Sequence, residues 1–143
     1  MSLQKSSLLD SFLEDLSGGL ETIEQNIGLL ENQKEESILP IFRTFHSLKS
    51  GSRILNYHHF SDFLHQAENL LSLLRSGELE PSKEILQILY QTTDLIKEFR
   101  DLVSENLAEK DFVSNPLWVS KIAEITNLYP QFSRQTLFPV LQA

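Results

Sequence analysis

The stretch Ser37 to Leu74, SILPIFRTFHSLKSGSRILNYHHFSDFLHQAENLLSLL, carries two sets of apolar residues. The first is Ile38, Ile41, Phe42, Phe45, Leu48 and Leu55; the second is Phe60, Phe63, Leu64, Ala67, Leu70, Leu71 and Leu74. Steps of three and four residues, or their sum, are the repeat of one buried helix face. Asn56, Tyr57 and His58 break the pattern between the sets. The segment therefore reads as two amphipathic helices joined by a short turn, and a short connection makes them antiparallel neighbours. Ser37 is expected to cap the first of them, with Pro40 in its first turn, where a missing N–H does no harm. Gly77 is expected to end the second as a left-handed cap.

On the N-terminal side, Leu9, Phe12, Leu13, Leu16, Leu20, Ile23, Ile27 and Leu30 keep the same spacing and predict a helix over 8–32. Gly18 and Gly19 lie inside it, each costing about 1 kcal/mol against alanine, so close packing or a slight bend is expected there. Glu80-Pro81-Ser82 opens a long helix through Ile85, Leu89, Ile96, Phe99 and Val103 to about Leu107. Asn115-Pro116 starts another, with Leu117, Trp118, Ile122, Ile125 and Leu128 turned inward. The expected fold is all-α: an up-and-down antiparallel four-helix bundle with an additional fifth helix. One domain over 1–130 is expected, and 131–143, without a clean period, as a tail or linker.

Composition sets the bounds. The 143 residues, 41% hydrophobic, are enough for one domain with a real core. Cysteine is absent, which excludes disulfides and thiolate metal sites and points to a reducing, cytoplasmic setting. No apolar run approaches the roughly 18 residues that span a bilayer, so no membrane association is expected. Twelve Lys plus Arg against twenty Asp plus Glu give a net charge of −8, which disfavours nucleic acid as a partner.

Against this acidic background one local group differs in sign. At 100° per residue His46 falls about 110° from the centre of its helix's apolar stripe, beside the core face rather than in it. Arg43, Lys49, Ser50 and Arg53 share its side, a small cationic strip around an imidazole. On the next helix His65 and Glu68 stand one turn apart. With the turn centred near Tyr57, His46 and Glu68 are each 11 residues from it, and Lys49 and His65 are each eight. Equidistant residues of an antiparallel pair sit at about the same height, so His46 should level with Glu68 and Lys49 with His65.

This group suits phosphoryl transfer to nitrogen. The nucleophile must be a neutral imidazole nitrogen, whose tautomer is set by what the other nitrogen donates to. Glu68 is the expected acceptor, raising basicity and stabilising the ring cation that phosphorylation creates. Lys49 is expected to face the incoming phosphoryl oxygens and compensate their charge, since positioning and charge compensation are most of the protein's task. His65 is expected to hydrogen-bond within the cluster. Ser50, Gly51 and Ser52 should leave room for a partner's active site, with Arg43, Ser50, Gly51 and Arg53 at the partner-facing surface.

The run Ile41-Phe42-Arg43-Thr44-Phe45-His46-Ser47-Leu48-Lys49-Ser50-Gly51-Ser52 resembles the phosphoacceptor helix of histidine phosphotransfer (HPt) domains, whose pattern is histidine, two residues, lysine, then glycine and a small residue. It is most similar to the N-terminal phosphoacceptor domains of chemotaxis histidine kinases. His65 and Glu68 fall on the family's histidine and glutamate of the following helix, and the similarity covers most of 8–107. The resemblance implies that His46 accepts phosphate from an ATP-binding histidine kinase domain, in cis or in trans, and passes it to an aspartate of a response-regulator receiver domain, the chain being part of a larger kinase. Two departures stand out: Ser50 replaces the usual glycine after the lysine, and Arg53-Ile54-Leu55-Asn56-Tyr57 replaces a more glycine-rich, aromatic segment.

Rival chemistries have less behind them. Di-iron bundles repeat a Glu-x-x-His pair across helices, whereas this chain has a single His-x-x-Glu with a lysine where a ligand is wanted, so no metal is expected. With no Gly-rich phosphate loop and no HExxH, neither nucleotide binding nor a zinc hydrolase has support, and no cofactor or ATP-dependent catalysis by this chain alone is expected. The competing class is a helical interaction module without phosphotransfer chemistry.

Overall fold

The structure is a computed structural model that describes residues 3–106 and 108–128. These form six helices and no strand: α1 (Leu3–Ile27), α2 (Lys34–Ile54), α3 (His58–Ser76), α4 (Lys83–Ser104), α5 (Glu109–Val113) and α6 (Pro116–Leu128). Helices α1 to α4 make the bundle. α1 packs between α2 and α4, and α2 packs on α3. The remaining seam, α3 to α4, closes through Phe60 stacked on Phe99 at 3.8 Å between ring centroids.

The turn between α2 and α3 fixes the height of everything on the hairpin. Asn56 adopts a left-handed φ of 65°. Its N–H donates to Arg53 O at 3.1 Å, and the N–H of Tyr57 donates to Ser52 O at 2.8 Å. This pair of bonds is a Schellman termination, and asparagine is the residue after glycine that most readily supplies the conformation. Gly77, at φ 84°, ends α3 as expected. Ser82 caps α4 by accepting from Ile85 N at 3.3 Å.

Four expectations need correction. Ser37 does not cap α2, which begins three residues earlier at Lys34; its hydroxyl donates to Gln33 O at 2.6 Å, and Pro40 lies in the second turn. α1 stops at Ile27 rather than near 32, although Leu30 remains buried, because the following turn folds it back onto the core. α4 ends at Ser104, where Asn106 at φ 62° breaks the helix before Leu107. A short α5 then adds a sixth helix to the five expected; five residues are too few to show a period. The proposed tail at 131–143 lies outside the described residues.

Helix α5 has a structural task. The Glu109 carboxylate accepts from the backbone N–H groups of His59 at 3.3 Å and Phe60 at 2.8 Å, capping the N-terminus of α3. A carboxylate there satisfies orphan donors and complements the helix dipole. The cap of α3 is thus supplied by a residue about fifty positions further along the chain. Above it, Phe112 and Trp118 close the end of the bundle, Trp118 meeting Phe63 at 5.2 Å and Phe112 at 4.7 Å. Leu117 is only half-buried, while Trp118, Ile122 and Ile125 are core.

Among the described residues no helix is long and apolar enough to cross a membrane.

Candidate functional site

Five apolar residues, Ile38, Ile41, Phe45, Leu48 and the packed Leu55, hold α2 on the core, and this leaves the flank of the helix to polar groups. His46 projects from that flank with 61% of its side chain exposed. Glu68, from α3, is the opposite case: its side chain is only 6% exposed, wedged between the helices of the hairpin. His46 Nδ1 and Glu68 Oε1 form a hydrogen bond of 2.7 Å. The pairing expected from counting across the turn is therefore the pairing observed.

Lys49 sits on the same carboxylate. Its Nζ donates to Glu68 Oε2 at 2.5 Å, and its side chain is 10% exposed. Three residues on from His46 is 300° of rotation, which turns Lys49 toward α3 rather than outward. The ammonium expected to meet incoming phosphoryl oxygens is thus already compensated by Glu68. His65 approaches the same oxygen as Lys49, its Nδ1 3.8 Å from Glu68 Oε2, beyond the reach of the hydrogen bond expected of it. Glu68 is the hub of the cluster.

Burial pushes the Glu68 carboxyl pKa up, but hydrogen bonds from Lys49 and His46, with the electrostatic attraction of the same groups, outweigh it and hold the carboxyl below its ordinary value. Glu68 is therefore ionised at neutral pH and can only accept. That choice sets the tautomer of the neutral ring: Nδ1 carries the proton, and the lone pair is on Nε2. A positive ring formed by attack through Nε2 would sit beside a carboxylate already in place, with no rearrangement needed.

The partner-facing residues divide. Arg43, Ser50 and Arg53 are exposed on the His46 side. Gly51 and Ser52 are not part of that surface, a correction to the expected small-residue triplet. Five residues from His46 is 140° of rotation, and a Cβ on Gly51 would meet Phe12 Cδ1 of α1 at 2.9 Å. Ser52 is fully buried, its hydroxyl donating to Leu48 O at 2.7 Å. Of the three, only Ser50 borders the approach to His46.

One member of the hairpin's polar seam was missed from the sequence. Ser61, buried on α3, accepts from Arg53 Nε at 3.2 Å and reaches toward Lys49 O at 3.5 Å. The available signal was its position one turn before His65, but a lone serine in a helix gives no hint of a partner on another helix.

Among the described residues no group of three or more His, Cys, Asp or Glu side chains is arranged to hold a metal ion.

The site is an exposed imidazole held by a buried carboxylate on an all-helical bundle, and comparison with known proteins gives the family. The Hpt domain family model matches residues 7–108, and the chain belongs to the Hpt domain family. Similar proteins include the chemotaxis protein CheA of Borreliella burgdorferi, 32% identical over 100 residues, 68% of this chain and 12% of that protein. Chemotaxis protein CheA of Treponema pallidum is 30% identical over 92 residues, 63% of this chain and 11% of that protein. The match therefore spans only about an eighth of the length of these curated relatives. In fold, the chain is similar to the phosphorylated P1 domain of CheA3 in complex with CheY6 from R. sphaeroides, with a TM-score of 0.70 and 20% identity, covering 85% of this chain and 98% of that one.

Proposed function

We propose that this chain is the histidine phosphotransfer module of a chemotaxis-type two-component system, with His46 as phosphoacceptor. The observation that carries the reading is the bond from exposed His46 to buried, ionised Glu68, which leaves Nε2 as a free nucleophile. Nε2 attacks the γ-phosphorus of ATP held by a histidine kinase domain; an N–P bond forms, the P–O bond to the leaving ADP breaks, and the ring becomes cationic. An aspartate carboxylate of a response-regulator receiver domain then attacks the same phosphorus, and the electron pair of the N–P bond returns to the imidazole. Glu68 orients the ring and stabilises its charged form. Lys49 holds Glu68 and offsets its charge, and His65 supports the same carboxylate.

Family membership supports this reading, as do relatives named for chemotaxis and a similar fold whose printed description pairs a phosphorylated P1 domain with CheY6. The module's extent is proposed as 1–130, with 131–143 as a tail. A cytoplasmic location fits the cysteine-free composition.

The test is incubation of the full chain with an active histidine kinase domain and labelled ATP. Label that is acid-labile, alkali-stable, absent from His46→Gln and transferable to a receiver domain supports the proposal. Absence of label with every kinase that labels other Hpt domains would leave a helical interaction module without chemistry.

A further inference from the structure

Pairing Lys49 with Glu68 has a consequence for an incoming anion. Lys49, one turn on from His46, is largely buried and already paired with Glu68, so positive charge on the exposed side comes from other residues. Two cations share that side, Arg43 and Arg53. Both are exposed, and among the described residues neither forms an ion pair with a carboxylate, whereas Lys97, Arg100 and Lys121 each do.

The two arginines are not equivalent. Arg53 lies seven residues beyond His46, nearly in line with it on the helix and about 10 Å along the axis. Helical side chains lean toward the N-terminus, which brings the Arg53 side chain back toward the acceptor. Its Nε is tied to Ser61 at 3.2 Å, and Ser61 is buried. One edge of the guanidinium is thus held by α3, so part of the side-chain entropy lost on docking is already spent. No such tie is made by Arg43. Lysine at this position has no Nε–H in the geometry that meets Ser61, so the arrangement is specific to arginine.

Resting on the phosphotransfer reading, we propose that Arg53, positioned by Ser61, is a specificity-determining residue that engages carboxylates rimming the phosphoryl-bearing site of the partner protein, steering it onto His46. On a chain of net charge −8, a fixed cation beside the acceptor also guides an acidic face to this patch in preference to the rest of the surface. Arg53 does not touch the reacting atoms; it acts on encounter and register.

The experiment measures phosphorylation of the full chain by a histidine kinase domain supplied in trans with ATP, as KM and kcat for the chain at low and high ionic strength. Arg53→Gln is expected to raise KM about tenfold at low salt with a much smaller change in kcat, and the difference from wild type should shrink at high salt. Ser61→Ala should give a smaller change of the same kind, and Arg53→Lys should not restore the wild-type KM. Circular dichroism checks that each variant is folded. Unchanged KM at low salt in Arg53→Gln overturns the inference, as does a loss in kcat that is the same at every ionic strength. Phosphoramidate, a small phosphodonor whose P–N bond breaks with release of ammonia as the His46 N–P bond forms, separates the two levels. If wild type is labelled neither by it nor by the kinase, the phosphotransfer reading itself fails; if wild type is labelled but Arg53→Gln behaves as wild type with the kinase, only the role of Arg53 does.

Discussion

Glu68 concentrates the site's energetics in one side chain. Two charge-assisted hydrogen bonds converge on a carboxylate that is almost wholly withdrawn from water. A bond of that kind is worth about 1.5 to 3 kcal/mol, so Glu68→Gln should slow phosphorylation of His46 by roughly 10- to 100-fold while the helical content by circular dichroism stays the same. An unchanged rate would remove Glu68 from the mechanism. The same carboxylate adds a pH term to stability. Its folded-state pKa lies below the ordinary value of 4.5, so its contribution is fully present above that value and is lost as pH falls through the lowered one. Urea denaturation of wild type and Glu68→Gln at pH 7 and at successively lower pH should therefore show a stability gap that narrows below about pH 4.5. A gap that widens on acidification would contradict the sign of the shift.

At the scale of helices, two glycines separate propensity from packing. Gly18 has open space where a Cβ would go, so Gly18→Ala should gain about 0.5 to 1 kcal/mol from helix propensity alone. Gly51 makes the same propensity gain, but its new Cβ would press on Phe12, which is hemmed by Tyr57 at 5.8 Å and Phe99 at 6.5 Å between ring centroids. Overpacking costs about 1 to 3 kcal/mol, so Gly51→Ala should be net destabilising. Denaturant midpoints of the two variants on either side of wild type would bear this out; equal shifts would not. The contrast also marks the limit of sequence reasoning. The helices and the level of His46 with Glu68 were legible because 3.6-residue periodicity and a count from the turn need only local information. That Gly51 faces α1, that Lys49 turns inward, and that Glu109 caps α3 depend on neighbours brought together by the fold, which spacing along one helix does not contain.

The whole molecule is a site-bearing hairpin held upright by a core at its far side. Phe60, Phe99, Phe112, Phe63 and Trp118 form a continuous aromatic cluster linking α3 and α4 to α5 and α6. Removing its largest member, Trp118→Ala, should cost about 3 to 5 kcal/mol in urea denaturation while leaving the His46–Glu68 bond in place. A loss under 1 kcal/mol would mean that α6 contributes little to the bundle. The division of labour explains how an exposed imidazole can be held so well: Phe45 and Leu48 fix α2, Leu64 and Leu71 fix α3, and the three-residue turn sets their heights, so the polar seam adds to a frame the core already holds.

In the proposed mechanism Glu68 holds His46 by Nδ1 and leaves Nε2 to react. Long-range proton–nitrogen NMR of the full chain, before and after phosphorylation, reads this directly. Nδ1 is expected to carry the proton in the resting chain, and the phosphoryl group to appear on Nε2. A resting proton on Nε2, or phosphate on Nδ1, would contradict it.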